Sequence, residues 1–205
     1  MNWKENASAV LENDQVQMRP VTEADRAAIR ELAKDGHIWR YFVSRVGTDA
    51  EFDTFFSGML ADQASGARAV YVVVDKSTGA VAGSMSYGNL FEKDARLEIG
   101  WSWLGEAFRG KGINRWAKFL LLQHAFETLS AQRVEFKTDV LNLQARAGLR
   151  NIGAQEEGVL RSFNYMPGGR RRDAIFYSVL AAEWPAIKQG LLTQEKLRQP
   201  AEAQA

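Results

Sequence analysis

Two glycines stand among basic residues at the start of a long apolar segment, "FRGKGINRWAKFLLLQHAFETL" (108–129). Glycine is less favourable than alanine inside a helix by about 0.8–1.0 kcal/mol, so Gly110 and Gly112 need a reason. Without side chains they let a ligand approach the backbone, and the N–H groups and dipole at a helix start favour an anion. The neighbouring cations are Arg109, Lys111 and Arg115. This composition predicts a loop that binds a phosphate or pyrophosphate.

Two other interpretations of the loop compete with this one. A glycine-rich tight turn with solvated charges would have the same composition. "GEAFRGKG" (105–112) also nearly fits the nucleotide-triphosphate pattern G-x-x-x-x-G-K-[ST], but Gly112 has no hydroxyl to hold a magnesium ion. The following strand, "RVEFKTD", is also too polar for the apolar strand that ends in a metal-binding aspartate. We discard the nucleotide-triphosphate interpretation and keep the tight turn as an alternative.

Bulk composition excludes several kinds of chemistry. The chain has 205 residues, 46% of them hydrophobic, which suits one domain with a sizeable core. The formal net charge of +1 gives no whole-molecule attraction to nucleic acid or anionic lipid. The absence of cysteine excludes disulfides, thiolate nucleophiles and cysteine-bound zinc. With His37 and His124 as the only histidines, and far apart, we expect no metal site.

The sequence also predicts where the protein is located. The first ten residues, "MNWKENASAV", lack the apolar centre of a signal peptide. No stretch approaches 18 uninterrupted apolar residues, so we expect no membrane span. The expectation is a soluble cytoplasmic protein.

The first third of the chain predicts one short strand and two helices. Residues 1–14 are polar and without pattern, which indicates a loose arm. "VQMRPV" (16–21) predicts a strand, and Thr22 and Gly36 mark the start and stop of a helix. "GTDAEFDTFFSGMLADQASG" (47–66) repeats this helical pattern.

Strands and helices alternate in the rest of the chain. Two strands flank the turn "DKSTG", and the apolar run 69–74 is typical of a strand buried on both faces. In "RLEIGWSWL" (96–104) the period of two places Leu97, Ile99, Trp101 and Trp103 on one face, and Glu98, Gly100 and Ser102 on the other. After the helix of the glycine loop we expect a strand at 133–140, a helix at 142–153, a final hairpin and a frayed tail from 191 to 205.

The glycine loop also resembles the acyl-coenzyme A loop of the GCN5-related N-acetyltransferases, [RQ]-x-x-G-x-[GA], which here runs from Arg109 to Asn114. The resemblance extends over about residues 16–190 and is strongest to the branch related to the ribosomal-protein N-acetyltransferases (RimJ/RimL-like). Its other segments are "EIGWSWL", "KFLLLQHAFETL", "RVEFKTDVLN", "NIGAQEEGVLR" and "GRRRDAIFYSVLAAEWPAIK". Asn114 departs from the Gly or Ala of the superfamily, as is common in this branch.

The resemblance implies a single α/β domain over residues 1–205, with a mixed sheet of about seven strands splayed in the middle and about four helices. Acetyl-coenzyme A, or another acyl-coenzyme A, would lie in the V-shaped gap as co-substrate, with no metal. The strand end would contact the pantetheine arm through Trp101, Ser102, Trp103 and Leu104. Backbone amides would bind the pyrophosphate at Arg109, Gly110, Lys111, Gly112, Ile113 and Asn114, with Arg115 beside them. Asn142 would hydrogen-bond the pantetheine arm, and it would also serve as an ordinary helix N-cap.

Direct acyl transfer to an amine needs a base, oxyanion donors and sometimes an acid. Our candidate base is Glu98, and the alternative is a structural carboxylate paired with a neighbouring arginine. Another branch has its base at the position of Lys137, so that role does not transfer. The two acid positions of relatives hold Leu149 and Ala145, which cannot donate a proton. Water, Tyr87 or Ser102 could replace them, and the general acid stays unassigned.

The acceptor pocket is the least specified part of the sequence. The joint between the two early helices, "DGHIWRYFVSRVGTD" (35–49), lies where relatives shape this pocket. We predict acceptor contacts from Trp39, Tyr41, Arg45 and Tyr87. The alternative is that the aromatic residues only pack the joint. The acceptor class implied is a primary amine of a protein N-terminus, a peptide or a small molecule.

Three arginines in "GGRRRD" (168–173) invite a nucleic-acid interpretation. We interpret them instead as a solvated hairpin tip, because the chain has no wider basic surface. Contact with an acidic acceptor or with the 3′-phosphate of coenzyme A is a further alternative. Two functions stay open: an N-acyltransferase, as a monomer or a homodimer, and a coenzyme A-binding protein with weak or no catalysis.

Overall fold

A computed structural model describes residues 2–198 of the chain. In this range the chain forms one mixed sheet of eight strands with seven helices, close to the predicted numbers. The strands are β1 Leu11–Glu12, β2 Val16–Pro20, β3 Ala69–Asp75, β4 Ala80–Phe91, β5 Arg96–Leu104, β6 Arg133–Asp139, β7 Gln155–Tyr165 and β8 Arg171–Leu180. The helices are α1 Trp3–Asn6, α2 Arg26–Ala33, α3 Gly36–Trp39, α4 Asp49–Ser65, α5 Ile113–Gln123, α6 Leu143–Asn151 and α7 Trp184–Arg198.

The strand order is β1-β2-β3-β4-β5-β6-β8-β7. All neighbouring strands are antiparallel except β5 and β6, which are parallel. A parallel pair needs a crossover, and the glycine loop and α5 supply it. This connection places the start of α5 next to the end of β5.

Two hydrophobic cores cover the two faces of the sheet. One contains Tyr71 and Val73 of β3 and side chains of α5 and α7. The other contains Val70 and Val72 of the same strand and side chains of α2 and α4. The apolar run 69–74 is therefore covered on both faces, as predicted.

The early helices follow their sequence signals with one difference. Thr48 caps α4 through its side chain and Gly66 ends it with a φ of 68°. The first predicted helix is divided, because Asp35 accepts a hydrogen bond from the His37 N–H and starts α3 at Gly36. The glycine predicted as a stop is thus the first residue of the next short helix.

Both ends of the described range are more ordered than predicted. Trp3, in the predicted loose arm, is 2% exposed, and its indole N–H donates to the Leu129 carbonyl at 2.9 Å. At the other end, α7 continues to Arg198, and Leu191 is buried in the α5 core. The prediction of a frayed tail was therefore wrong for residues 191–198, and residues 199–205 lie outside the described range.

The helices of residues 2–198 are too short or too polar to cross a membrane.

Candidate active site

The sheet opens between its parallel strands, β5 and β6. Hydrogen-bonded pairing between them covers three positions and ends where Glu98 lies opposite Glu135. Beyond that point the strands separate, although β5 continues to Leu104 and β6 to Asp139. Residues of both strands line a cavity of about 930 Å³, a volume typical of small-ligand sites. The splayed strands implied by the resemblance are present.

A β-bulge interrupts β5 beside this cavity. Between the paired positions Gly100 and Trp103 stand two residues of β5 against one of β4. One of them, Trp101, has a left-handed backbone with a φ of 50°, which is uncommon for a bulky residue. A bulge leaves backbone groups outside the ladder, and Trp101 and Ser102 both line the cavity. At the bulge, the backbone groups of β5 therefore have no hydrogen-bond partners on β4, and they border the place where a thioester would lie.

The bulge also reverses the faces of the strand. We predicted Leu97, Ile99, Trp101 and Trp103 on one face. Leu97 and Ile99 pack in the core of α5, whereas Trp103 packs in the core of α4 on the opposite face. The prediction was wrong for Trp103, because one extra residue shifts a period of two by one position.

The Trp101 ring is held in place by Gly88 of the adjacent strand β4 and by Arg68, which directly precedes β3. It lies against Gly88, where an added Cβ would come within 2.4 Å of Trp101 Cζ3. The Arg68 guanidinium lies 4.7 Å from the ring centroid, in cation–π geometry. Glycine at position 88 is therefore a requirement of this ring position.

The glycine loop has the backbone geometry of an anion site. Gly110 and Gly112 have φ values of 76° and 81°, in the left-handed region that favours glycine. Gly112 is the N-cap of α5, an 11-residue helix whose first N–H groups have no intrahelical acceptor. Gly110 lines the cavity, and an added Cβ there would meet nothing within 4 Å. The loop therefore presents open backbone and a helix N-terminus to the cavity.

Arg109 is committed to the protein itself. Its Nε donates to the Leu104 carbonyl at 3.0 Å, and its guanidinium also pairs with Asp35. Burial raises the pKa of the Asp35 carboxyl, but the hydrogen bonds from the His37 N–H and from Arg109 lower this pKa by more. The net shift of the pKa is therefore downward. Arg109 therefore ties the glycine loop to the start of α3, which is a positioning role in addition to the predicted one.

Four predicted cofactor residues do not line the cavity with their side chains. Lys111 is exposed near the Phe108 ring, and Ile113 is buried in the α5 core. The Arg115 side chain donates to the Leu191 carbonyl of α7. Gly112 has no side chain to offer. The predicted contribution of Lys111, Gly112 and Ile113 through backbone N–H groups stays a prediction.

The remaining predicted cofactor residues do border the cavity. Asn142 caps α6, because its Oδ1 accepts a hydrogen bond from the Ala145 N–H at 3.1 Å. The N-cap prediction is confirmed, and its contact with pantetheine stays a prediction. The cavity-lining members of the predicted set are Trp101, Ser102, Trp103, Leu104, Arg109, Gly110, Asn114 and Asn142.

Glu98 lies at the apex of the opening and is 4% exposed. Its Oε2 accepts hydrogen bonds from Lys137 Nζ at 2.8 Å and Asn89 Nδ2 at 2.7 Å. Asn89 reaches it from a second bulge, in β4, where its φ is 49°. An added Cβ at Gly100 would lie 3.0 Å from Oε1, so glycine keeps that oxygen clear. The alternative to a base was a structural carboxylate paired with a neighbouring arginine. Among the described residues, the ion-pair partner of Glu98 is instead a lysine.

The family of this chain is decided by comparison with known proteins. Residues 15–155 match the family described as "Acetyltransferase (GNAT) domain". The chain belongs to the GNAT family. The matched range contains the opened strands, the glycine loop, α5 and α6.

Two curated GNAT relatives resemble parts of this chain. YdaF of Bacillus subtilis (strain 168), named as a candidate ribosomal N-acetyltransferase, is 37% identical over 110 residues, 54% of this chain and 59% of its own length. The uncharacterized N-acetyltransferase p20 of Bacillus licheniformis is 29% identical over 114 residues, 56% of this chain and 63% of its own length. The aligned parts thus span less than two thirds of either relative.

Solved structures extend the likeness over nearly the whole chain. A candidate acetyltransferase from T. thermophilus is 33% identical, with a TM-score of 0.82 over 90% of this chain and 96% of its own. RimJ of Mycobacterium smegmatis, in complex with CoA-disulfide, is 23% identical, with a TM-score of 0.79 over 93% of this chain and 96% of its own. The second likeness concerns the fold alone.

The acceptor residues predicted for this GNAT protein are divided by the structure. Tyr41 lines the large cavity, together with His37 and Phe42 from the same joint. Trp39 is 8% exposed, and its indole N–H donates to the Ala33 carbonyl at 2.8 Å. Arg45 lies with Trp39 at a smaller, separate cavity of about 240 Å³. Of these predicted acceptor residues, the large cavity includes only Tyr41.

Tyr87 does not lie at the cavity either. It is fully buried in the α5 core, and its hydroxyl donates to the Leu121 carbonyl. Burial raises the pKa of this phenol well above its usual value, with Tyr71 as a second cause. Neither the acceptor role nor the acid role suggested for Tyr87 fits this position, because β4 turns the side chain towards α5.

Sequence reasoning missed Lys118, which lies on α5 one turn after Asn114. It is 7% exposed, lines the cavity, and donates to Asn114 Oδ1 at 2.5 Å. Burial lowers the pKa of its ammonium to about 8. The signal available in the sequence was a single lysine inside the apolar run "WAKFLLL".

Sequence reasoning also misplaced the three arginines of the final hairpin. Arg171 and Arg172 belong to strand β8, and Arg172 is 5% exposed and lines the cavity. Arg170 pairs with the buried Asp139. The solvated tip was therefore the wrong interpretation for Arg172, because the strand begins three residues before the apolar pattern does.

Within residues 2–198, no group of three or more His, Asp or Glu side chains is arranged to hold a metal ion.

Proposed function

We propose that this GNAT protein transfers an acetyl or similar small acyl group from acyl-coenzyme A to a primary amine. One observation carries the proposal. The parallel strands separate directly after Glu98, and the cavity between them also includes Gly110 of the glycine loop. A single cavity thus joins a buried carboxylate to a helix N-terminus that favours phosphate.

The glycine loop and β5 would hold the donor. Backbone N–H groups at Gly110, Gly112 and the first turn of α5 bind the pyrophosphate, with the helix dipole in support. Asn142 and the bulged segment Trp101–Ser102 lie along the same cavity and bind the pantetheine arm and thioester. A backbone N–H at the bulge is well suited to stabilise negative charge on the acyl carbonyl oxygen.

Glu98 would accept the proton of the attacking amine. A lysine-like amine has a pKa near 10.4, so it must lose a proton before or during attack. Lys137 and Asn89 occupy Oε2 and fix the carboxylate, which leaves Oε1 for the amine. The chain needs no covalent intermediate, and it has no cysteine to form one.

Lys118 supports proton transfer to the leaving thiolate. It lines the same cavity as Leu149 and Ala145, which occupy the two positions expected to hold acids and have no proton to donate. Because burial lowers its pKa to about 8, Lys118 is still mostly protonated at neutral pH and gives up its proton more readily than an exposed lysine. Its ammonium can therefore donate to a thiolate, or stabilise its charge.

The acceptor is a primary amine of a protein N-terminus, a peptide or a small molecule. The name of YdaF points to ribosomal proteins as one class to test. Tyr41 and Phe42 border the cavity and would contact the acceptor.

A coenzyme A-binding protein with weak catalysis is the second candidate function. Leu149 is 5% exposed at a position where many relatives have a tyrosine acid, and this observation favours it. Lys118 distinguishes the two candidate functions, because it is the described residue proposed to supply the proton that Leu149 cannot.

Thiol release from acetyl-coenzyme A tests the proposal, with a panel of amines, peptides and N-terminal fragments of ribosomal proteins. A saturable signal with one acceptor class supports the N-acyltransferase. Micromolar coenzyme A binding by calorimetry with no release across the panel, also with longer acyl donors, supports the binding protein.

A further inference from the structure

Arg172 is a buried cation without a partner among the described residues. It is 5% exposed, and its Nε is inaccessible and donates to no described residue. No described carboxylate lies within ion-pair distance of it, in contrast to Arg170, which pairs with Asp139. Arg171, its other neighbour, donates through Nε to Ser162 Oγ at 2.8 Å on the protein surface. Of these three arginines, the one with the unpaired guanidinium is therefore Arg172, which is also the one that lines the cavity.

Burying an unpaired charge is unfavourable, so its position needs an explanation. Desolvation lowers the pKa of Arg172, and Asp139 and Glu98 oppose this only from a distance. Arginine nevertheless stays charged in proteins, because its unperturbed pKa is far above neutral. The fold thus maintains a positive charge in the wall of the cavity.

The residue opposite Arg172 is also incompletely paired. Asn164 of β7 is its Cα partner across the β7–β8 ladder, and both line the cavity. Asn164 Nδ2 donates to the Tyr165 carbonyl at 2.8 Å, which fixes the amide orientation. Its Oδ1 is buried and accepts no hydrogen bond from described residues. A strong donor and a free acceptor therefore stand side by side.

The charges around this point do not cancel. Two carboxylates, Glu98 and Asp139, are paired with Lys137 and Arg170. Arg172 is the third cation, which leaves one positive charge in excess. A ligand with one negative charge would complete the cluster, and a guanidinium binds carboxylates through two parallel hydrogen bonds.

We infer that Arg172 binds a carboxylate of the acceptor, next to the amine that is acylated, and that Asn164 Oδ1 accepts an N–H of the same molecule. This inference rests on the proposed function and names its substrate class. The acceptor is an amine with a carboxylate a few bonds away: a free amino acid, or a peptide N-terminus with an aspartate or glutamate side chain. A coenzyme A phosphate fits this place poorly, because Arg172 is deeply buried.

Matched pairs of acceptors test this inference. Each pair holds a carboxylate and its carboxamide: amino acids with their amides, and peptides with Asp or Glu against Asn or Gln at the first two positions. For wild-type protein we expect kcat/KM to favour the carboxylate by at least tenfold, in the amino-acid or the peptide arm. In Arg172→Met this ratio falls to about one, whereas in the control Arg171→Met it stays at the wild-type value.

A second variant tests the inference even if Arg172→Met does not fold. Asn164→Asp is nearly isosteric and supplies the missing negative charge beside Arg172. We expect it to raise the melting temperature and to abolish the carboxylate preference. An unchanged preference in both variants, an equal loss for both members of each pair, or a weakened coenzyme A affinity in Arg172→Met would overturn the inference.

A binding readout separates this inference from the proposed function. The same carboxylate and carboxamide pairs are tested for their shift of the melting temperature with coenzyme A bound. If no amine is acylated, the proposed function fails, and a larger shift by carboxylates than by amides, absent in Arg172→Met, still supports the subsite. Equal shifts for both members of each pair contradict it.

Discussion

Glu98 Oε2 lies 2.8 Å from Lys137 Nζ across the gap that opens between β5 and β6. The two residues belong to the two strands that stop pairing at this point, so their ion pair connects the strands at the apex of the cavity. The same contact orients the carboxylate, with Oε1 beside Gly100. Glu98 is therefore a structural bridge between the two strands and also the residue that we propose as the base.

Glu98→Gln should separate these two roles. The amide keeps the size of the side chain but cannot accept the amine proton, so turnover should fall by about 10²–10⁴-fold. Coenzyme A affinity should stay at the wild-type value, because the glycine loop is untouched. Glu135→Gln, at the position opposite Glu98 on β6, is the control and should keep wild-type turnover. Wild-type turnover in Glu98→Gln would exclude this residue as the base.

Gly110→Ala should weaken coenzyme A binding through the backbone. A side chain at a φ of 76° costs about 1–2 kcal/mol, and the loop relaxes away from the geometry that presents its N–H groups. We expect the dissociation constant to rise about tenfold by calorimetry, equivalent to ~1.4 kcal/mol. Gly79→Ala has a similar φ of 70° in the β3–β4 turn and is equally open, so it controls for strain alone. Equal affinities in the two variants would remove the loop from the site.

Lys118→Met should lower activity and raise stability. Burial lowers the pKa of Lys118 to about 8 in the folded state, against about 10.4 in the unfolded chain. The unfolded chain therefore holds more protons between these two values, and the stability of the wild-type protein should rise with pH across that window. Below pH 8 methionine removes the cost of a buried charge, so the melting temperature at pH 7 should increase.

The activity of the wild-type protein should decline as Lys118 loses its proton above about pH 8. In Lys118→Met this alkaline limb should disappear and turnover at pH 7 should be low, which a pH profile of kcat measures. A variant that is more stable but equally active, with an unchanged profile, would make Lys118 a packing residue only.

Gly88→Ala should displace Trp101. An added Cβ would come within 2.4 Å of the ring, and such overpacking costs about 1–3 kcal/mol. Turnover should fall with stability, because the ring holds the bulge whose backbone we propose to contact the thioester. Trp101→Leu in the same chain removes the clashing atoms, so the double variant should recover stability but not turnover. Additive losses of stability would show that the two residues are not coupled.

The order of the elements could be predicted from the sequence because it depends on local signals. Alternating residues marked the strands, and Thr48 and Gly66 marked the ends of α4. The face of Trp103 could not be predicted, because a bulge in β5 is set by its pairing with β4. The burial of Trp3 likewise depends on a partner far along the chain, the Leu129 carbonyl.

The site residues that belong to a sequence motif could be predicted, whereas those whose position depends on tertiary contacts could not. Gly110 was assigned from the glycine motif and Asn142 from the resemblance to the family, and both lie at the cavity. Trp39 was assigned as an aromatic residue of the joint between the early helices, and Tyr87 as an acceptor contact and an alternative acid. Packing against α4 buries Trp39 elsewhere, and packing against α5 buries Tyr87 elsewhere. Arg172 was missed because its burial results from the register of β7 and β8.

A single-turnover experiment tests the central claim most directly. Protein loaded with one equivalent of acetyl-coenzyme A is mixed with the best acceptor of the panel, and free thiol, acetylated amine and protein mass are measured together. Direct transfer in this cavity predicts one acetylated amine for each thiol and no acetyl group on the protein at any time. Thiol release without acetylated amine, an acetylated protein intermediate, or failure to bind coenzyme A would contradict it.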